Sequence, residues 1–172
     1  MSGTSDYATK PIIGKWIRQV YPKTVLDVGP GQASFFYLMR GVMDFSVHLT
    51  AVEVWEPYIS MYNLNEKYQV VINDDVRNLE HFNYDLVILG DVIEHMSEED
   101  ALKLWDKISK EAKYAIIALP IIHYPQGEMG GNPYEVHVEE DWSTERVLAK
   151  FSHIIDHESY DITGAFLAKF KD

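Results

Sequence analysis

Residues 84–90 read Tyr84-Asp85-Leu86-Val87-Ile88-Leu89-Gly90, where Leu86 to Leu89 form an apolar run without interruption that closes on a turn residue. A strand with one wet face alternates apolar and polar side chains; an unbroken run requires burial on both faces, which is the signature of a central strand in a parallel sheet. Parallel neighbours cannot be joined by hairpins, so such a chain must supply crossover helices to cover the sheet. It does. Thr24-Val25-Leu26-Asp27-Val28 is a second buried strand, and further strands are expected at about 47–54, 69–72 and 114–119. Between them lie segments of helical periodicity. The first opens at Pro11, carries Ile12, Ile13, Trp16, Ile17 and Val20, and stops at Pro22; the second places Phe35, Leu38, Met39, Val42 and Met43 on one side. A third covers 57–66, and a fourth opens at Ser97 with Asp100 in the capping-box position and turns Ala101, Leu102, Trp105 and Ile108 inward. A last helix over 144–151 precedes two strands, 153–158 and 162–170, that form a closing antiparallel pair. The fold class is α/β, a doubly wound, mostly parallel sheet with helices on both faces. Ligands of such sheets bind at the carboxyl ends of the strands, where the strand order reverses.

At 172 residues the chain is long enough for one such domain, here taken as 1–172 with a flexible tail over 1–10. It has no cysteine, which removes disulfide scaffolds, thiolate metal sites and cysteine nucleophiles. Fifteen Lys and Arg against 27 Asp and Glu give a formal charge of −12, the wrong sign for neutralising many phosphates, so double-stranded nucleic acid is not an expected partner. Lys10, Lys15, Arg18 and Lys23 are a loose basic cluster, read as a solvated helix face. No stretch approaches the ~18 apolar residues of a membrane span, and the first residues have neither a basic nor an apolar leader region; a cytoplasmic protein without membrane attachment is expected.

Function should therefore sit after the strands. Gly29-Pro30-Gly31 follows the first, where two glycines let the backbone turn tightly and approach a ligand. A dinucleotide fingerprint would place a third glycine at 34, where Ser34 stands, which weakens a nicotinamide reading. Glu53 lies 22 residues beyond Gly31, the distance at which an acid at a strand tip accepts hydrogen bonds from ribose hydroxyls. After the third strand, Asn73-Asp74-Asp75-Val76-Arg77 offers a carboxylate for a purine amine and Val76 for the ring. Three strand ends point at one adenosine.

These segments, together with Asp91-Val92-Ile93-Glu94-His95 after the fourth strand, resemble the motifs of class I S-adenosylmethionine-dependent methyltransferases, from Thr24 to the end of the chain. A narrower likeness, to uncharacterised bacterial and phage members, rests on residues 51–58, 124–127 and 131–137. The resemblance implies a seven-stranded sheet of order 3-2-1-4-5-7-6 with the last strand antiparallel. It also implies S-adenosyl-L-methionine as methyl donor, held by Asp27, Gly29, Gly31, Glu53, Val54, Asp75, Val76 and Gly90. Asp27 would organise the turn and the methionyl ammonium, and Ala33 stands where a further glycine is frequent. The implied activity is methyl transfer to a small-molecule or glycan-type acceptor. A catalytically silent nucleoside-binding protein of the same fold is the alternative, and a nicotinamide oxidoreductase a weaker one.

Asp91, Glu94 and His95 are spaced i, i+3, i+4 and fall on one side of a helical turn. They suit a polar structural turn, or a general base at His95 or Asp91, or with His137 a divalent metal site; imidazole titrates near operating pH, which suits the base role. The expectation is no metal, with His95, Asp91 and His137 as the catalytic candidates. Residues 120–142 lack periodicity but carry His123, Tyr124, Tyr134 and His137, and are read as a lid over the acceptor site. His137, 42 residues past His95, reaches the site only if that lid folds back. His48, His81, His153 and His157 suggest no chemistry.

Overall fold

The computed structural model describes residues 7–171; most of the expected tail, residues 1–6, lies outside the described residues. Lys10 is already the first residue of helix α1 (Lys10–Val20). Strand β1 (Thr24–Val28), helix α2 (Ser34–Val42), strand β2 (His48–Val52), helices α3 (Glu56–Met61) and α4 (Leu64–Lys67) and strand β3 (Val70–Ile72) follow. The second half comprises β4 (Leu86–Gly90), α5 (Glu98–Glu111), β5 (Tyr114–Pro120), α6 (Thr144–Lys150), β6 (Ile154–Ser159) and β7 (Thr163–Lys169). One seven-stranded sheet runs β3-β2-β1-β4-β5-β7-β6, with β7 antiparallel to both its neighbours and the rest parallel.

The unbroken run at β4 has the cause inferred for it. Val87 and Leu89 pack on one face of the sheet with Trp105 and Ile108 of α5, whereas Leu86 and Ile88 pack on the other with Trp16 and Ile17 of α1. All five β4 residues are buried. Fully burying a Leu, Ile or Val side chain contributes roughly 1.5–3 kcal/mol, so the four apolar side chains of this strand anchor both layers of helices to the sheet. Helix α5 starts where its cap demands: Ser97 Oγ accepts the Asp100 N–H at 3.2 Å. Leu104 joins Ala101, Trp105 and Ile108 in the core, and Leu102 is half-buried.

Three local expectations change. The helix expected over 57–66 is broken in two at Asn63, whose φ of +50° leaves the helical region; Asn tolerates this left-handed conformation better than most side chains. Strand β2 ends at Val52; the Glu53 N–H still donates to Ile72 O of β3 at 2.9 Å, and Val54 follows at the tip. Lys10 is buried rather than solvated, its Nζ lying 3.3 Å over the Phe35 ring and 3.1 Å from Ser34 Oγ. No helix among the described residues is long and apolar enough to cross a membrane.

Candidate functional site

A cavity of about 490 Å³ opens at the carboxyl ends of β1, β2, β4 and β5. That volume is within the ~300–1,000 Å³ typical of small-molecule sites. Its floor is the turn after β1, where Gly29 (φ +60°) and Gly31 (φ +47°) are left-handed. Gly29 N–H donates to Val52 O at 2.9 Å, tying the turn to β2. Ala33 is left-handed as well (φ +63°), so the site of the missing further glycine does carry glycine-like backbone.

Glu53 stands beside this turn with 3% of its surface exposed. Its Oε1 accepts the Trp55 N–H at 2.9 Å, and the Gly31 amide also bonds the carboxylate. Burial nevertheless pushes its pKa up to about 7, with the Glu135 and Asp27 charges adding to the rise. Two backbone donors do not use all the lone pairs of a carboxylate, so the group has acceptor capacity left for a ligand in the cavity. Val54 and Val76 line the same wall. Asp75 lines it too, but its carboxylate is gripped by Arg77, Nε at 2.9 Å and Nη2 at 2.5 Å, which holds its pKa below the usual range.

Two further residues expected at the donor, Asp27 and Gly90, have these surroundings. Asp27 is buried beneath the turn and does not line the cavity. Tyr68 donates its hydroxyl to Oδ2 at 2.5 Å, and burial lifts the Asp27 pKa to about 6 against the opposing effects of Tyr68 and Lys10. Its Oδ1 is buried without a hydrogen-bond partner among the described residues. Gly90 does line the cavity, yet what forbids a side chain there is protein: an added Cβ would lie 2.0 Å from the Phe35 ring.

The other end of the cavity is built after β4. Asp91 takes a left-handed φ of +53° and donates its N–H to Ala118 O at 2.7 Å; such strain in a non-glycine residue is characteristic of functional sites. A single 3-10 turn, Ile93–His95, follows. The segment after β5 folds back onto it: the Val138 and Glu139 amides both donate to Glu94 O, at 2.9 and 3.0 Å. His137 thereby arrives with its ring centroid 4.9 Å from that of His95. Both imidazoles have Nδ1 against a backbone carbonyl, Val136 O at 3.1 Å for His95 and Tyr124 O at 2.6 Å for His137. Burial lowers the His95 pKa to about 4, so this ring is neutral at physiological pH. Glu94 is 1% exposed, and its pKa is raised well above normal by burial and by the Asp91 charge. Neither Glu94 oxygen finds a donor outside its own residue.

His95, Asp91 and His137 therefore share one wall of the cavity with Glu94, and His48, His81, His153 and His157 do not line it. Tyr68 under Asp27, and the Tyr58 hydroxyl bond to Glu135 Oε1 at 2.9 Å that ties α3 to the returning segment, had no local sequence signal.

The strand order, the left-handed glycine turn after β1 and the buried acid at the tip of β2 define the class I S-adenosylmethionine-dependent methyltransferase fold. The chain superposes on an S-adenosylmethionine-dependent methyltransferase from Clostridium acetobutylicum with a TM-score of 0.70 at 13% identity, over 97% of this chain and 93% of that one. A provisionally assigned O-methyltransferase from Nostoc punctiforme matches at TM-score 0.69 and 13% identity over 93% of this chain, which spans 55% of that protein's chain. The N-terminal domain of EvdMO1, determined with S-adenosylhomocysteine bound and also in the presence of S-adenosylhomocysteine and D-fucose, matches at TM-score 0.67 and 10% identity in the first of these structures, over 97% of this chain and 83% of that chain. No protein-family model matches the chain, and no curated protein matches it.

Proposed function

We propose that the protein is a methyltransferase using S-adenosyl-L-methionine as donor, with a small-molecule or glycan-type acceptor. The observation that carries the reading is Glu53: a buried carboxylate with unfilled acceptor capacity, beside a turn whose left-handed glycines keep side chains out of the cavity. A pair of ribose hydroxyls is the partner such a group suits, because each donates one hydrogen bond and together they favour the ionised carboxylate. Val54 and Val76 supply an apolar wall for a purine. Asp75 contributes through the Arg77-braced turn rather than with a free carboxylate. Asp27 supports Gly29 and Gly31 from below.

The donor supplies a methyl group on a positively charged sulfur, which an acceptor lone pair displaces in line. The chain's task is to hold the two reactants in attack geometry and keep water out. Residues 120–142 act as the acceptor cover, with Tyr124, Tyr134 and His137 lining the cavity from that side. Asp91, His95 and His137 form the acceptor end. The whole of 1–172 serves as one catalytic unit. A sugar or other hydroxyl compound is favoured by this polar, aromatic end and by the analogy to EvdMO1. The test is calorimetric titration with S-adenosylhomocysteine, followed by transfer of labelled methyl from the donor to a panel of hydroxyl acceptors. Binding with transfer sustains the reading, binding without transfer to any acceptor favours a silent nucleoside-binding protein, and no binding removes both.

A further inference from the structure

We propose that Glu94, His95 and His137 form a site for a first-row divalent transition-metal cation, at the acceptor end of the cavity. The sequence alone argued for no metal here; three structural observations argue the other way. One ligand atom from each of the three residues lies within 4.8 Å of the others. Ligands about 2.0–2.2 Å from one ion stand at most about 4.4 Å apart, so the set needs only a modest contraction to close on a cation. Second, the two imidazoles are already oriented. A carbonyl can only accept, so the contact to Tyr124 O puts the His137 proton on Nδ1 and leaves its Nε2 as a lone pair, whereas the His95 ring is held by Val136 O at Nδ1 and by a second backbone hydrogen bond to Asp91. Backbone carbonyls behind the rings are the usual means by which metal-binding histidines are fixed in tautomer and direction.

Third, the Glu94 carboxylate is buried and finds no donor outside its own residue. The cationic side chain lining the cavity, Arg77, is engaged by Asp75 and Asp100. A buried carboxylate without a donor, beside two imidazoles held by backbone carbonyls, is a set of ligand atoms without a positive centre, and a cation supplies one. Two nitrogens and one carboxylate suit manganese, iron, cobalt or zinc better than calcium or magnesium, which favour all-oxygen shells. Three protein ligands also leave coordination positions open. Because the three residues line the cavity, an oxygen of the acceptor could take such a position; that consequence rests on the methyl-transfer reading, whereas the site itself does not.

The experiment titrates chelator-stripped full-length protein with Mn²⁺ alone, and separately with Zn²⁺ and Mg²⁺, by calorimetry and thermal melting without donor present. Saturable one-to-one binding of Mn²⁺ or Zn²⁺, weaker for Mg²⁺, is expected, with affinity falling at least tenfold in His137→Ala and in Glu94→Gln. His137 lies on the returning loop, so its replacement keeps the proposal testable should Glu94→Gln fail to fold. Absence of saturable binding, or binding that both folded variants retain at full strength, overturns the site. S-adenosylhomocysteine titrated into the metal-free protein tests the donor reading on its own, so either can fail without the other.

Discussion

Glu53→Gln should move donor affinity and protein stability in opposite directions. In the unliganded protein the Glu53 carboxyl has a pKa of about 7, raised mainly by burial from an ordinary 4.5. A raised folded-state pKa means that the stability linked to this group is fully present below pH 4.5 and is lost as pH rises through 7. The shift of some 2.5 units corresponds to about 3 kcal/mol at ~1.36 kcal/mol per unit. Gln keeps the shape and an acceptor for the Trp55 N–H but carries no charge. At pH 8 the variant should therefore unfold at higher denaturant than the parent, by up to about 3 kcal/mol, and the gap should close toward pH 5.

Donor binding should change the other way. Hydrogen bonds to a charged acceptor contribute roughly 1.5–3 kcal/mol, so S-adenosylhomocysteine should bind the variant about 10- to 150-fold more weakly at pH 8. In the parent, hydroxyl donors favour the ionised form, so affinity should rise from pH 6 to pH 8 and binding near neutrality should release a proton, measurable as a buffer-dependent calorimetric enthalpy. Equal affinity in parent and variant at pH 8, or a parent affinity flat across that range, would remove Glu53 from the ligand and with it the main support for the donor assignment.

Gly29→Val should abolish measurable donor binding, because a β-branched residue is strained at φ +60° and its Cβ would sit 3.3 Å from Val92 Cγ2; normal binding would make the turn merely structural. Gly90→Ala should destabilise the fold by at least about 1–3 kcal/mol in chemical denaturation through its clash with Phe35, and Phe35→Leu in the same chain should recover part of the loss. Tyr68→Phe removes the hydroxyl that favours ionised Asp27, whose folded pKa is about 6. Its cost should be about 1–3 kcal/mol at pH 8 and smaller below pH 6; a loss independent of pH would show that packing, not this bond, is what Tyr68 provides.

What was legible in the sequence is what local physics controls. The unbroken run of β4 announces burial on both faces, and Ser97 with Asp100 announces the start of α5; both hold because their causes lie within a few residues. The strand order is different in kind. Nothing in the periodicity of β1 says that β2 and β4 flank it, and the order 3-2-1-4-5-7-6 came from likeness of motifs. Asp27 shows what the sequence leaves out. The likeness of motifs implies a role for it at the turn, but the partner of its Oδ2, Tyr68, stands 41 residues away and has no local signal. The Asp75–Arg77 pair was, by contrast, visible as two opposite charges two residues apart, and it uses much of the carboxylate assigned to adenine.

The two ends of the cavity are assembled by different means, and this bears on how each can vary. At the donor end, Gly29 and Glu53 sit at the tips of adjacent parallel strands whose register runs from Thr24 opposite His48 to Val28 opposite Val52. Moving one relative to the other would mean slipping a buried ladder, which would expose the inward faces of both strands. At the acceptor end, the position of His137 depends on a loop pinned by its Gln126 and Tyr124 carbonyl contacts and by two neighbouring amides on the Glu94 carbonyl. Changes between 121 and 136 alter that wall without touching a strand. A scaffold arranged in this way keeps the Gly29 and Glu53 wall constant while the facing surface changes, and this is why the residues of the first wall could be grouped from motif spacing whereas the approach of His137 to His95 needed the fold.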